Sequence, residues 1–261
     1  MENALDVGDR ARAELADLID RQMRPLGDAV FSKLLVAEGQ TVIDVGCGAG
    51  EATMQLAELV GPQGQVIGVD VAPRVLALAK RRAENTAHVT FLQDDAGTLS
   101  LPDHSFDAIF SRFGTMFFSD PVAEFRNLRR MTRPGGKMGF ICWRSVAENE
   151  LDAFCIEAAR LPVTVDTSPY SFEKAAVIEQ VLKDSGFQNI AIEAHDASIT
   201  AGESTSTLKV VTRVGALGKA LRENPDLLPV AEPIVHLALA AREQGGLVHL
   251  NSATWIVTAT A

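Results

Sequence analysis

From Gln40 to Trp143, short apolar runs alternate with amphipathic stretches. That alternation predicts a parallel sheet with helices on both faces, because strands covered on both sides read as nearly continuous apolar runs. The predicted strands are "TVIDV", "QVIGVD", "HVTFLQ", "FDAIFS" and "KMGFICW". Helical spacing marks "EATMQLAELV", "PRVLALAKRRAE" and "PVAEFRNLRRM", with Pro73 and Pro121 placed where proline suits a first helical turn. The segments "GPQGQ" and "RPGGK" read as turns.

Residues 1–39 precede this unit and carry apolar positions at helical spacing around Leu15, Leu18, Ile19 and Met23, so one or two helices are expected there. After the unit the pattern changes. "NELDAFCIEAARL" and "FEKAAVIEQVLKDSG" read as helices, and "NIAIEAHDASIT" and "LVHLNSATWIVTATA" as long strands. Between those two strands lies a segment of about 46 residues, Ala201 to Gly246, too long for a structureless loop. Its helical spacing at Leu208, Val211, Val214, Leu217 and Leu221, and again around Ile234, predicts a helical cap. The expected division is therefore a helical segment at 1–39, a core at 40–200 and 247–261, and a cap insertion at 201–246.

Composition narrows the partners. The 261-residue chain is 47% hydrophobic and 22% charged, which suits a large core, and its formal net charge is −10. An acidic chain with scattered Lys and Arg is a poor match for nucleic acid, so a small molecule is the expected partner. Cys47, Cys142 and Cys155 are too few for a disulfide framework, and the five histidines show no close metal spacing, so no metal is expected. The first residues lack the apolar core of a signal peptide and no run reaches membrane-spanning length, which leads to the expectation of a cytoplasmic protein with no membrane partner.

The chemistry concentrates at "VIDVGCGAG", Val42 to Gly50. Glycines after a strand and before a helix let backbone N–H groups approach a ligand. A dinucleotide loop reads G-x-G-x-x-G, whereas here Gly46, Gly48 and Gly50 are followed at once by Glu51, and Asp44 precedes them. Two acids beside the loop would repel a pyrophosphate and suit a ligand with a cationic end. Asp70, closing the second strand, is the kind of carboxylate that takes ribose hydroxyls in either ligand family.

The next landmark separates the two. Asp94 and Asp95 end the third strand and Ala96 follows, within "QDDAGTLSLPDHSFD". Together with "VIDVGCGAG", "VIGVDVA" and "LRRMTRPGGKMGF", in this order over residues 40–143, the chain resembles class I S-adenosylmethionine-dependent methyltransferases. Within them it is most similar to the ubiquinone/menaquinone-methyltransferase-like group, of the methyltransferase domain 11/25 type. The resemblance implies an α/β fold: a Rossmann-like, seven-stranded, mostly parallel sheet with helices on both faces, N-terminal helices and a helical cap before the last strand. It implies S-adenosylmethionine as cofactor, with S-adenosylhomocysteine as its product.

By that resemblance Asp44 orients the methionine amino group, and the backbone of Gly46 and Gly48 passes close to the amino-acid part. Cys47 is carried with them in the cofactor set, although its thiol reads as small-residue packing rather than redox chemistry. Asp70 holds the ribose hydroxyls and Val71 packs on adenine. Asp95, favoured over Asp94, accepts from the adenine amino group while Ala96 offers its N–H. Ser111 presents its carbonyl to the amine, and Gln22 or Arg24 from an N-terminal helix holds the carboxylate.

"SRFGTMFFSDP" occupies the position where this class meets the methyl acceptor, which makes Arg112, Phe113, Met116 and, from the next strand, Trp143 candidate substrate-binding residues. Arg112 has two open readings, an anionic acceptor or one of the many acids. His195 and His236 are candidate bases of low weight, and no residue is assigned as catalytic. The expected activity is metal-independent transfer of a methyl group to the O, N, S or C atom of a small molecule with an apolar or aromatic part, such as a quinone-like or secondary-metabolite skeleton. The alternative is a protein that binds the cofactor without transfer, as a sensor or partner subunit, and a nicotinamide dehydrogenase is a third. Apolar cap helices allow a homodimer.

Overall fold

The computed structural model describes residues 4–162 and 166–261. Seven strands form its sheet: β1 (Thr41–Val45), β2 (Gln65–Asp70), β3 (Val89–Gln93), β4 (Phe106–Arg112), β5 (Thr132–Trp143), β6 (Gln188–Ile199) and β7 (Leu250–Thr260). Their order is β3-β2-β1-β4-β5-β7-β6, and β7 alone runs against its neighbours. The order reverses between β1 and β4, and the crevice outside the carboxyl ends at such a switch point is where open α/β sheets bind ligands.

Among the described residues, ten α-helices surround the sheet. They are α1 (Ala4–Glu14), α2 (Ala16–Leu34), α3 (Glu51–Val60), α4 (Pro73–Arg82), α5 (Pro121–Met131), α6 (Glu150–Ala159), α7 (Ala175–Asp184), α8 (Ser204–Val211), α9 (Gly215–Glu223) and α10 (Leu228–Ala240). Pro73 and Pro121 open α4 and α5, and Asp120 caps α5 by accepting the Ala123 amide at 3.1 Å. The apolar runs of β1, β4 and β5 are buried, with Ile43, Ile109, Phe110 and Phe140 among the largest enclosed side chains. Each contributes about 1.5–3 kcal/mol by leaving water. Along α2, Leu26, Val30 and Leu34 form a core-facing stripe, and Gly139 of β5 lets it approach: a Cβ there would lie 3.1 Å from Val30 Cγ1.

Two buried aspartates tie the outer helices to the rest. Asp9 of α1 accepts the amides of Arg74 and Val75 at 2.8 and 3.1 Å, capping α4, whose own N-cap residue Ala72 has no side chain able to do so. Asp152 of α6 accepts the Ala216 amide at 3.0 Å and the Tyr170 hydroxyl at 2.5 Å, and so caps α9. Burial raises the Asp152 carboxyl, with the Tyr170 and Ala216 hydrogen bonds opposing it. Replacing Asp152 by Ala leaves two buried donors unpaired, and a loss of about 2–3 kcal/mol is expected, read as a lower thermal midpoint. An unchanged midpoint would show that α9 is held by its apolar face alone.

Several local expectations change in the structure. "RPGGK" lies inside β5 as a bulge, where pairing slips between Phe106 and Ala108 and Gly135 takes φ +80°. It is held there because the Gly135 amide donates to Ala261 O and the Ala261 amide to Gly136 O. The helical spacing through Val214 is interrupted: α8 stops at Val211 and α9 starts at Gly215, at φ +75°. The helix expected from Phe172 begins only at Ala175, as α7, after a 3-10 turn at Ser168–Tyr170. No helix of the described residues is long and apolar enough to cross a membrane.

Candidate active site

The loop from Gly46 to Gly50 lies at the carboxyl end of β1, and three of its glycines take positive φ. Gly46 (φ +73°) and Gly114 touch backbone to backbone: a Cβ on Gly46 would stand 2.7 Å from Gly114 Cα. At Gly50 (φ +81°) a Cβ would meet Ala79 and Phe91 at 2.9 Å. Gly48 (φ +53°) differs, since nothing lies within 4 Å of its Cβ position. Its backbone is open to a ligand.

Asp70 fixes this loop. Its Oδ2 accepts the Gly48 amide at 2.8 Å and its Oδ1 accepts the Ala72 amide at 2.9 Å, leaving one further lone pair on each oxygen for a ligand hydroxyl. Val71 beside it is 62% exposed, a large apolar side chain presented at the strand ends. At the end of β3 both Asp94 and Asp95 are exposed. Asp94 accepts the Asp95 amide at 2.8 Å, Asp95 accepts the Gly97 amide at 2.7 Å, and Ala96 is buried behind them.

Asp44 sits beneath the loop, 1% exposed, and accepts the Thr53 hydroxyl at 2.6 Å. Burial pushes its carboxyl up to about 7; Thr53 and the Arg112 charge oppose the rise, and Asp70 and Glu51 add to it. Cys47 packs with Leu76, Ala79, Ala83 and Phe91, and burial raises its thiol well above the usual range. Ser111 is buried; its hydroxyl donates to Val45 O at 2.7 Å and accepts the Gly114 amide at 3.2 Å, which welds the ends of β1 and β4 together.

The basic side chains nearby are engaged with acids. Arg112 meets Glu51 at 2.7 Å and Asp20 of α2 at 3.5 Å, while Arg24 lies 3.5 Å from Glu51. Arg82 of α4 donates to Asp20 at 2.7 Å, to Asp17 at 2.6 Å and to the Ala49 carbonyl of the glycine loop at 2.9 Å. Glu51 is thus a paired carboxylate and not a free negative charge at the start of α3, which weakens charge repulsion as the ground for excluding a pyrophosphate. This chain of pairs fastens α2 over the loop. Asp20, Thr53 and Arg82 are parts of the site that sequence spacing does not mark; their partners lie on separate elements.

Beyond β4 the chain turns sharply. Phe113 takes φ +63° and donates its amide to Ile141 O at 3.0 Å, and its ring stacks on Trp143 with centroids 4.0 Å apart. A 3-10 turn, Thr115–Phe117, follows; Met116 is buried and its carbonyl accepts the Ser171 hydroxyl at 2.6 Å. Trp143's neighbour Arg144 pairs instead with Asp196 at 2.8 Å and with Glu148, and Asn149 braces the Ala253 backbone. His195 lies in β6, whose backbone carbonyl takes the Thr254 hydroxyl at 2.7 Å, and His236 lies in α10.

Gln22, in α2, is wholly buried, and neither polar atom of its amide has a partner among the described residues. An amide so enclosed costs stability unless something bonds it. An exposed apolar side chain at Val71, free lone pairs on Asp70 and exposed acceptors at Asp95 suit a nucleoside. The open backbone at Gly48, Asp44 beneath the loop and the orphaned Gln22 amide suit an amino-acid end bearing both charges. The donor set fits S-adenosylmethionine.

Comparison with known proteins agrees with this cofactor. Residues 42–136 match the methyltransferase domain family. The demethylmenaquinone methyltransferase of Lactobacillus johnsonii is 31% identical over 179 residues, 62% of this chain and 73% of that protein. The chain spans about half the length of the other curated relatives it matches, such as that of Staphylococcus carnosus. Among solved structures, the complex of the Haloferax volcanii Trm112 methyltransferase activator with its methyltransferase matches with TM-score 0.62 and 20% identity, over 99% of this chain and 97% of that one. Haemonchus contortus phosphoethanolamine N-methyltransferase 2, bound to phosphomonomethylethanolamine and S-adenosylhomocysteine, matches with TM-score 0.58 and 20% identity, over 90% of this chain and 52% of that one. These two likenesses concern the fold.

Proposed function

The chain belongs to the class I S-adenosylmethionine-dependent methyltransferases, in the menaquinone-methyltransferase-like group, and from that premise we propose that it methylates a small molecule with an apolar, aromatic skeleton. The observation that carries this reading is the pairing of an open Gly48 backbone with Asp70, which holds the loop and retains acceptor capacity beside the exposed Val71. When bound, S-adenosylmethionine supplies a methyl group already activated by its sulfonium. The residues have only to bind, orient and exclude water.

Asp70 holds the ribose hydroxyls and Val71 covers one face of the adenine, whose amino group donates to Asp95 while the Ala96 amide meets the ring. The Ser111 carbonyl and Asp44 face the methionine amine, and Gln22 donates its amide N–H to the carboxylate. Gly46 and Gly48, with Cys47 between them, run beneath the amino-acid part. Phe113, Met116 and Trp143 form the apolar side of the acceptor subsite. Arg112 acts through its ion pairs with Glu51 and Asp20, by keeping α2 closed over the loop.

The relatives' name points to a quinone-type acceptor, and the stacked Phe113 and Trp143 offer an aromatic wall for such a ring. Calorimetric titration with S-adenosylhomocysteine, followed by a labelled-methyl assay against hydroxylated naphthalenes, tests the reading. Binding with no transfer to any pooled metabolite would instead favour a sensor. Asp70→Ala is expected to weaken S-adenosylhomocysteine binding at least about tenfold, since it removes a charged acceptor and frees two loop amides. Wild-type affinity in that variant would place the ribose elsewhere.

A further inference from the structure

A carboxylate as enclosed as Asp44, 1% exposed, needs hydrogen-bond donors to keep its charge. The glycine loop above it does not turn its amides that way. Those of Gly46 and Cys47 donate to Val69 O, that of Gly48 to Asp70 Oδ2 and that of Gly50 to Cys47 O. Among the described residues, the hydrogen bond to the Asp44 carboxylate comes from Thr53 of α3, whose hydroxyl meets Oδ2 at 2.6 Å. That length falls within the range of bonds from a hydroxyl to a charged oxygen, about 2.5–2.7 Å.

The backbone sets up this contact. Gly50, at φ +81°, turns the chain out of the loop and packs where a Cβ would meet Ala79 and Phe91 at 2.9 Å, and α3 starts at the next residue. Thr53, third in the helix and wholly buried, comes back beneath the end of β1. The surrounding charges do not replace its hydroxyl. Burial disfavours the Asp44 charge most; the Thr53 hydroxyl opposes burial first and Arg112 of β4 second, while Asp70 of β2 and Glu51 of α3 side with burial. Arg112 is itself engaged by Glu51 at 2.7 Å and by Asp20 at 3.5 Å, and the buried Cys47 thiol stays protonated.

A threonine hydroxyl has one proton to give. Given to Oδ2, it favours the carboxylate over the carboxylic acid. We propose that Thr53 is a positioning residue for the cofactor: its hydroxyl holds Asp44 in the ionised form and, by occupying Oδ2, leaves Oδ1 to the ligand's amino group. The proposal rests on the transferase reading above and deepens it. Cofactor affinity and its dependence on pH are then set by a side chain behind Asp44, on a different element from the acid it controls.

The test is calorimetric titration of the intact chain with S-adenosylhomocysteine at pH 6, 7 and 8. Thr53→Val keeps the shape and removes the hydroxyl. Its affinity is expected to be about five- to tenfold weaker than the parent's at pH 6 and 7 and to converge to within about twofold at pH 8, the pattern of a midpoint displaced upward by about one pH unit. Thr53→Ser keeps the donor and should restore the parent's profile, whereas Asp44→Asn, with nothing to titrate, should give a flat one. Thr53→Ala is read by the same criteria if the valine protein does not fold. A loss of affinity equal at every pH, which a merely structural role would produce, overturns the proposal. So does parent affinity in Thr53→Val, or a parent whose affinity does not change with pH. Failure of the parent to bind S-adenosylhomocysteine would instead remove the transferase reading itself.

Discussion

Gly46→Ala is expected to abolish measurable S-adenosylhomocysteine binding, a loss of about 100-fold or more, and to lower stability by about 3–5 kcal/mol. Two separate penalties combine. At φ +73° an alanine is strained by its own backbone, and its Cβ would lie 2.7 Å from Gly114 Cα, where no flexible side chain exists to give way. The loop must therefore separate from the turn after β4, which pulls on Ser111, since its hydroxyl joins Val45 O to the Gly114 amide. Gly48→Ala is the control. It carries a positive φ but meets nothing within 4 Å, so only about 1 kcal/mol of stability should be lost. Thermal unfolding and titration calorimetry on both variants check this, and a Gly46→Ala protein that binds as tightly as the parent would refute the role given to the glycine contact.

The second large effect concerns pH. Asp44 titrates near its ordinary value in the unfolded chain, but burial lifts it to about 7 in the folded one. Between pH 4 and 7 the folded protein therefore holds a proton that the unfolded chain has released, and stability falls as pH rises through this window. The fall is on the order of a few kcal/mol, complete just above pH 7. Other carboxylates act in the opposite sense: Arg242 and the Asn251 amide hold Glu150 low despite burial, and Lys219 holds Asp166 low. The measurement is accordingly the stability difference between the parent and Asp44→Asn, followed by denaturant titration from pH 4 to 8. The parent's relative advantage should shrink with rising pH. Cofactor affinity should move the other way, strengthening through pH 7 as Asp44 ionises beside a cationic amine, and this rise should be absent in Asp44→Asn. A pH-independent difference would mean that Asp44 stays charged beneath the loop.

Much of the architecture can be read locally. Short apolar runs marked β1 to β5, and those of β1, β4 and the later half of β5 are continuous because a strand buried on two faces needs apolar side chains in succession. Pro73 and Pro121 marked two helix starts because a first-turn proline sacrifices no hydrogen bond. The errors were of another kind. "RPGGK" has turn composition, yet lies in β5 because the backbone of Ala261, more than a hundred residues later, pairs with Gly135 and Gly136. The break between α8 and α9 at Gly215 goes with a cap supplied by Asp152 from a different helix.

The amino-acid order alone determined the glycine loop, the acids at the strand ends and their spacing, and through these the family and the cofactor. All of these lie within a few residues of a strand end, where backbone geometry places a side chain almost irrespective of the rest of the fold. Only the tertiary structure decided how those groups are charged and which are free. Glu51, a bare acid in the sequence, is neutralised by Arg112 and Arg24, and Asp44 is lifted toward neutrality by burial. Gln22 and Thr53 became notable only through burial, which leaves the Gln22 amide without a partner among the described residues and sets the Thr53 hydroxyl against Asp44. Ionisation and hydrogen-bond satisfaction depend on neighbours brought in from distant parts of the chain and on the exclusion of solvent, and neither leaves a periodic trace in the sequence.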